Sequence, residues 1–566
     1  MPPRMRSRGS RALVVLALVG VTAWTVPSVL PKPIAAGGPP GSLRFEVTLS
    51  PSLETGDLTG RLFVIASTLG GSSQLSRINS ATNPQPFFGM DVSGWAPGTA
   101  QTIGTAGVRG WPIEVPFKLP PGAYNVQAFF NVYTEFDRSD GSDVWLHMPC
   151  GDGQSPTSSP GNLFSAVVPM TLDGRSSGTQ QLTIDQMIPY PGGTSTFPED
   201  APAETCQQAN FADTAHLKHV KIQSPLLSEF WGRPMYIGAN VLLPMTYGQP
   251  GHEDDRFPVV YDQGHWPAGG VLGFGEASNN AFSTYWRDPA TPQFIVVTIR
   301  HENPYYDDSY AVNSANLGPY GDAITQELIP YIDANFQTIP ERWARTLTGG
   351  STGGWEALAQ MVFYPDVYGG TWAISPDPVD FRFHQIVNIY SDANAYFTDR
   401  QWVDTPRPSQ RNVPGNTQLT MEEENLWELA LGTRWRSTKQ WAVWSAVYGP
   451  QAADGYPADI WDQATGVIDH TVAQAWQPMD LRLYIVNNWD TLGPKLSGRI
   501  HDYGGDDDSF FLNNSSELLE TAMAALTNPP ADADFQWVDN GGHGASPYTT
   551  PQLLTIMYDA MIADAP

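Results

Sequence analysis

The residues best suited to chemistry are Gly349-Gly350-Ser351-Thr352-Gly353, set in RTLTGGSTGGWEALAQM (residues 345–361) between a run of strand character and a run of helical character. A serine hydroxyl is a weak nucleophile until a sharp strand-to-helix turn holds it exposed beside a base. Glycines at 349 and 353 give such a turn the room it needs, and the following helix adds its positive N-terminal end. The pattern G-x-S-x-G therefore marks Ser351 as a candidate nucleophile in acyl transfer.

A serine on such an elbow is followed along the chain by its acid and then by its histidine. Four histidines follow Ser351, namely His384, His470, His501 and His543. Carboxylates cluster in RIHDYGGDDDSFFL (499–512), where a strand-like run ends in a turn, and His543 alone comes after them, in the glycine-rich loop of DFQWVDNGGHGASP (534–547). Asp506, Asp507 and Asp508 all compete to orient the imidazole and stabilise its cation, and those not used would be solvated or cap the helix expected near Asn514. The tetrahedral oxyanion also needs donors. The backbone N–H of Thr352 is one candidate, and the amides of His265 and Trp266, in a loop that ends the buried run VVYDQGHWPAGG (259–270), are candidates for the second.

Two other clusters are rich in ligand-type residues. His216 and His219 stand in HLKH, which lacks the glutamate of H-E-x-x-H, and His252 with Glu253, Asp254 and Asp255 lacks a calcium-loop spacing. Both read as solvated surface.

The elements that must position these groups fall into two regions. Between residues 41 and 195, short alternating runs (43–49, 60–67, 124–132, 163–172 and 181–188) separated by Gly, Pro, Ser and Asn clusters predict a β-sandwich. The Pro- and Gly-rich stretch 189–202 marks a linker, placed at 196–205. From 206 to 566 the apolar runs 257–264, 294–299 and 482–488 read as strands covered on both faces, and 321–336 repeats Ile324, Leu328, Ile332 and Phe336 at helical spacing with a kink expected at Pro330. This alternation predicts a mostly parallel α/β sheet. Residues 400–480 interrupt it with a Trp-rich, helical insertion that either caps the site or packs onto the core.

Composition narrows the function classes. With 41% hydrophobic and 16% charged residues, the 566-residue chain is globular rather than disordered, and a net charge of -28 argues against nucleic acid and anionic lipid surfaces as partners. Residues 1–36 carry Arg4, Arg6, Arg8 and Arg11, an apolar run and then Ala35 and Ala36, the plan of a secretory signal peptide, with an uncleaved anchor as the alternative. A secreted or periplasmic location follows, with no membrane attachment once the signal is cleaved. Such a compartment would allow Cys150 and Cys206 to pair.

The segments YDQGHWPAGG, GPYGDAITQELIPYID, TGGSTGGWEAL, GDDDSFFLNN and GGHG, spread over residues 205–566, resemble the putative esterase family, the branch of the α/β hydrolases that contains esterase D and enterochelin esterase. The resemblance implies an α/β-hydrolase fold and carboxylic-ester hydrolysis by Ser351, Asp508 and His543 with no metal or organic cofactor. The step from Gly505 to Asp508 is similar to the G-x-x-D spacing of hydrolase acids, which favours Asp508 over Asp507. QGH stands where the family commonly has an HG-type loop. The substrate expected is a small-molecule or polysaccharide-linked ester. Acyl transfer to an alcohol on the same scaffold, and a non-catalytic binding protein that keeps the fold, are the alternatives.

Overall fold

A computed structural model describes residues 39–53, 55–150, 155–190, 207–265, 269–305, 308–398, 400–413 and 415–566. The expected signal segment 1–36 and linker 196–205 lie outside these residues.

The expected strands of the first region form, with shifted ends. Nine strands there form one sheet, eight of them along a single path that begins Ala100–Ile103, Arg44–Leu49, Thr179–Met187 and Leu163–Ser165 and continues through Gly122–Val132 and Leu58–Ser67, while Val168–Leu172 pairs with Gly122–Val132 off that path. The single sheet folds over on itself, so that Phe45, Val47 and Leu49 from one half share a core with Leu62, Val64, Val126, Ala128 and Phe130 from the other. Period-2 alternation in sequence thus becomes an inside and an outside. The predicted strand 163–172 is broken between Leu163–Ser165 and Val168–Leu172, where Ser165 Oγ turns to the Ala128 N–H (2.9 Å).

The second region is built on eight strands: β1 (Leu217–Gln223), β2 (Tyr236–Leu242), β3 (Val259–Gln263), β4 (Ile295–Arg300), β5 (Arg345–Gly350), β6 (Gly370–Ile374), β7 (Ile500–Gly505) and β8 (Asp534–Val538), in spatial order β1-β2-β4-β3-β5-β6-β7-β8. Only β2 runs against its neighbours, and every pairing from β4 to β8 is parallel. This is the α/β-hydrolase fold expected from the sequence. Its central strands β3 and β4 are mostly apolar and mostly buried because both faces are covered. Val259 and Tyr261 of β3 pack into one core, while Val260 joins the other with Leu554, Met557 and Met561 of the C-terminal helix.

Helix α1 (Thr352–Phe363) follows β5 directly. Residues 320–335 are helical as expected, with Ala323–Leu328 in a wider π-type turn just before Pro330. One predicted strand is corrected: the run at 482–488 is a helix, Leu481–Asn487, capped by Asp480 accepting from the Leu483 N–H (2.8 Å). A short apolar run bounded by an aspartate cap cannot be assigned by periodicity alone.

The insertion is mixed rather than purely helical. Two short hairpins, Phe397–Thr398 with Thr405–Pro406 and Pro408–Arg411 with Thr417–Thr420, precede helices α2 (Met421–Leu431) and α3 (Gln440–Tyr448). Its tryptophans Trp435, Trp441, Trp444, Trp461 and Trp476 are fully buried in the main core, so they pack the insertion in place. Glu428 of α2 accepts from the Trp441 and Ala442 N–H groups (2.9 and 3.0 Å), fixing the start of α3.

The folded-over sheet grips this insertion. Arg61, fully buried, donates to the Ala430 carbonyl at the end of α2 (2.8 Å) and pairs with Asp91 (2.7 Å), which also pairs with Arg436 (3.0 Å). Gly89 lies so close that a Cβ there would stand 2.6 Å from the Ala430 oxygen. Burial alone would raise the Asp91 carboxyl, but the Arg61 and Arg436 guanidiniums outweigh it and hold its pKa at about 2. Replacing Arg61 by Ala should cost about 2–4 kcal/mol in denaturant titration, because carbonyls and a carboxylate lose a shared partner. Since the Asp91 pKa is depressed, the pair stabilises fully above a pH of about 4 and that contribution fades as the pH falls toward 2. Arg61→Ala should flatten that acid limb.

Candidate functional site

Ser351 sits between β5 and α1 with φ of 57° and ψ of -123°, a conformation that non-glycine residues adopt only when their surroundings enforce it. The surroundings are the Gln263 carbonyl at the end of β3. A Cβ at Gly353 would lie 2.2 Å from that oxygen, and one at Gly349 would lie 2.3 Å from the Gly353 oxygen. The first and last glycines of the pentapeptide are therefore required by contact. The elbow is closed further by Ser351 N–H donating to Ile374 (2.9 Å) and Asp377 N–H donating to the Ser351 carbonyl (3.1 Å).

The acid and the imidazole come from the ends of β7 and β8. Asp508, 1% exposed, accepts from the Phe510 N–H (2.8 Å) with one oxygen and meets His543 Nδ1 at 2.7 Å with the other. Asp507 is engaged elsewhere, pairing with Arg411 of the insertion (2.9 Å), and Arg411 also donates to the Asp508 carbonyl (2.9 Å). The insertion hairpin thus clamps the acid-bearing turn. The loop of His543 is held against it, because a Cβ on Gly505 would lie 2.0 Å from the Gly541 oxygen, and Gly544 N–H donates to Ser375 Oγ (3.1 Å). Phe510 stands edge-on to the imidazole, with ring centroids 4.9 Å apart.

Among the described residues no hydrogen bond joins Ser351 to His543. The Ser351 hydroxyl instead faces Asp377 Oδ1 at 3.5 Å. His543 nevertheless lies in the same field. Its partial burial lowers its pKa, but the hydrogen bond and charge of Asp508, with the charge of Asp377, outweigh that and set it above the ordinary value of 6.5, against an opposing contribution from His265.

Of the expected oxyanion donors, the Thr352 N–H opens α1 and takes part in no hydrogen bond among the described residues. Trp266 lies outside the described residues. His265 is at the site through its side chain: Nδ1 meets Asp308 Oδ2 at 2.7 Å, and Nε2 reaches Thr352 Oγ1 and Gln440 Oε1 (3.1 Å). Asp308, Tyr310, Asp377, Gln440 and Trp444 were not legible as site residues. They arrive from separate loops and from α3, with no spacing to link them. The strand-end position of Asp377, two residues after Ser375 in SPD, is the one signal that pointed there.

Neither sequence cluster of ligand type gathers into a centre. His216 pairs with Glu276 and His252 with Asp255. His301, Asp308 and Glu356 do approach within 4.8 Å of one another. His301 Nδ1, however, accepts from the Ser309 N–H (3.0 Å), which leaves the ring proton on Nε2, 3.8 Å from Glu356. That presents a donor to a carboxylate rather than a lone pair to a metal.

The family model described as putative esterase matches residues 229–530, more than half of the chain, ending before His543. Over 139 residues, 23% of this chain, the sequence is 28% identical to an endo-1,4-beta-xylanase/feruloyl esterase of Xylanibacter ruminicola, of whose length it spans 18%. Among solved structures, a ferulic acid esterase is 15% identical with a TM-score of 0.34, the match covering 61% of this chain and 98% of that one. An S-formylglutathione hydrolase from Agrobacterium tumefaciens is 15% identical with a TM-score of 0.32, covering 62% and 96%.

The geometry separates the neighbouring aspartates. In an NMR titration His543 should have a pKa above 6.5. Asp508→Asn should move it down, because the lost carboxylate favoured the charged ring, whereas Asp507→Asn should leave it nearly in place. Equal shifts from the two variants would contradict the assignment of partners.

Proposed function

Because the chain belongs to the putative esterase family, we propose that it is an exported serine carboxylic-ester hydrolase that works through an acyl-enzyme on Ser351. Ester hydrolysis is the class that the family carries; the residue roles and the export are this reading's own. The observation that carries it is the strained Ser351 elbow at the end of β5 together with an Asp508–His543 pair at 2.7 Å on the loops that follow β7 and β8.

In this reading His543 Nε2 takes the Ser351 proton while the alkoxide attacks the ester carbonyl. Asp508 holds the ring in the tautomer that leaves Nε2 open and favours its cation. The oxyanion forms beside the Thr352 N–H, at the positive end of α1. His543 then returns the proton to the departing alcohol, and water, activated by the same ring, cleaves the acyl-enzyme. The resting Ser351 hydroxyl, turned toward Asp377, is redirected to His543 by rotation about its Cα–Cβ bond, in keeping with the loose hydrogen bonds of many free enzymes. The tight packing of the first region on α2 through Arg61 supports a structural role for it. Export is supported by the arginine-then-apolar plan of residues 1–36 and by Cys150 being in disulfide form. Cys206 lies outside the described residues.

The purified chain should hydrolyse short-chain aryl esters and take up a fluorophosphonate probe. Feruloyl esters are the first natural class to try, given the relative matched over 139 residues. Ser351→Ala should abolish labelling and lower kcat by about 10⁵ or more, and Asp508→Asn should lower it by about 10³–10⁴. Undiminished hydrolysis by Ser351→Ala would refute the assignment.

A further inference from the structure

A second imidazole–carboxylate pair, His265 with Asp308, stands against Thr352, the residue next to the nucleophile. His265, on the loop after β3, has both ring nitrogens against acceptors. Its Nδ1 contacts Asp308 Oδ2 at 2.7 Å, a distance that two facing lone pairs could not sustain. Its Nε2 faces Thr352 Oγ1 and Gln440 Oε1.

The orientation of these last two groups is fixed by Asp377. Thr352 has one hydroxyl proton, and it is donated to Asp377 Oδ2 (2.8 Å), so toward His265 the same oxygen accepts. Gln440 turns its amide nitrogen to Asp377 Oδ2 (3.2 Å) and to the Tyr310 hydroxyl, which leaves its carbonyl oxygen for His265. Reversing the amide would set that oxygen against a carboxylate. Tyr310 OH (2.7 Å) and Trp444 Nε1 (3.2 Å) complete the donors around Asp377 Oδ2. A ring with acceptors at both nitrogens carries two protons and a positive charge.

Asp377 makes that charge consequential. Its side chain is buried, and its other oxygen faces the Ser351 hydroxyl at 3.5 Å, so an anion stands beside the atom on which the acyl group and the neighbouring oxyanion form. An uncompensated carboxylate there would oppose that oxyanion.

We propose that His265 is a positioning residue held as an imidazolium between Asp308 and Asp377, and that its charge, more than its shape, keeps Asp377 from working against acyl transfer at Ser351. The inference rests on the serine-hydrolase reading above. The charged and titratable groups that bear on the two rings are Asp508, Asp377 and His265 for His543, and Asp308, Asp377, Tyr310 and His543 for His265, with the His301–Glu356 pair behind Asp308.

The test uses the full chain. Ring-nitrogen NMR at a pH about two units above the ordinary histidine value should show His265 still doubly protonated. The signal is assigned by its loss in His265→Gln or, should that variant not fold, in His265→Asn. In kinetics on an aryl ester, His265→Gln should lower kcat by about 10²-fold with little change in KM, and should move the acid limb of kcat/KM to higher pH, because Asp377 is then unbalanced and favours the His543 cation. Adding Asp377→Asn should recover most of the loss. An asparagine can keep its oxygen toward the four donors and turn its amide to Ser351. A neutral His265 ring, or a double variant as impaired as His265→Gln alone, would overturn the proposal. The ring measurement needs no turnover, so it judges His265 even if Ser351→Ala should prove active and the hydrolase reading fail.

Discussion

The catalytic half of the molecule turns on one close contact, that of the backbone at Gly349 and Gly353 with the Gln263 carbonyl. Only residues without a Cβ allow β5 and α1 to approach the end of β3 so closely, and that approach forces the residue between them into a left-handed conformation. Ser351 bears the strain. In return its hydroxyl stands clear of the sheet at the point where the parallel strands end, and their following loops bring Asp377, Asp508 and His543 to the same region. The strain is maintained by hydrogen bonds on both sides of the turn, from Ser351 to Ile374 and from Asp377 to Ser351.

Around this elbow the polar groups form two imidazole–carboxylate pairs, Asp508–His543 and Asp308–His265, with Asp377 between them. The first is partly exposed and has one nitrogen turned away from its acid, which suits proton exchange. The second is more deeply set, and both of its nitrogens are engaged, which suits a fixed charge. Similar side chains thus receive different duties from their hydrogen-bond partners. The insertion supports both. Arg411 clamps the turn that bears Asp508, and Gln440 and Trp444 reach Asp377 from α3, whose start is fixed by Glu428 of α2. Since α2 is held by Arg61 of the folded-over sheet, the first region is linked through α2 and α3 to the groups around Asp377.

What the sequence disclosed follows from which signals are local. The pentapeptide and the apolar β3 and β4 are short-range patterns, and the order of serine, acid and histidine along the chain leaves His543 as the one histidine after the aspartates, so the fold and the pairing of His543 with an aspartate could be read from the sequence. The choice between Asp507 and Asp508 could be made only by analogy, because it depends on Arg411, roughly a hundred residues earlier in the chain. Residues 482–488 misled because seven apolar-rich residues fit a buried strand and a buried helix equally, and the Asp480 cap decided the matter. The insertion's hairpins have too few residues to show a period. His265 was expected to contribute its backbone; the part played by its ring depends on Asp308, Thr352 and Gln440, which no spacing connects.

Covalent capture of the acyl group tests the central claim most directly. Rapid mixing of the chain with an aryl ester, acid quenching and peptide mass spectrometry should find the acyl mass on the peptide that contains Ser351, with a burst of aryl alcohol equal to the enzyme present. Steady turnover with no acyl group on that peptide and no burst, under conditions in which deacylation has been slowed, would contradict it.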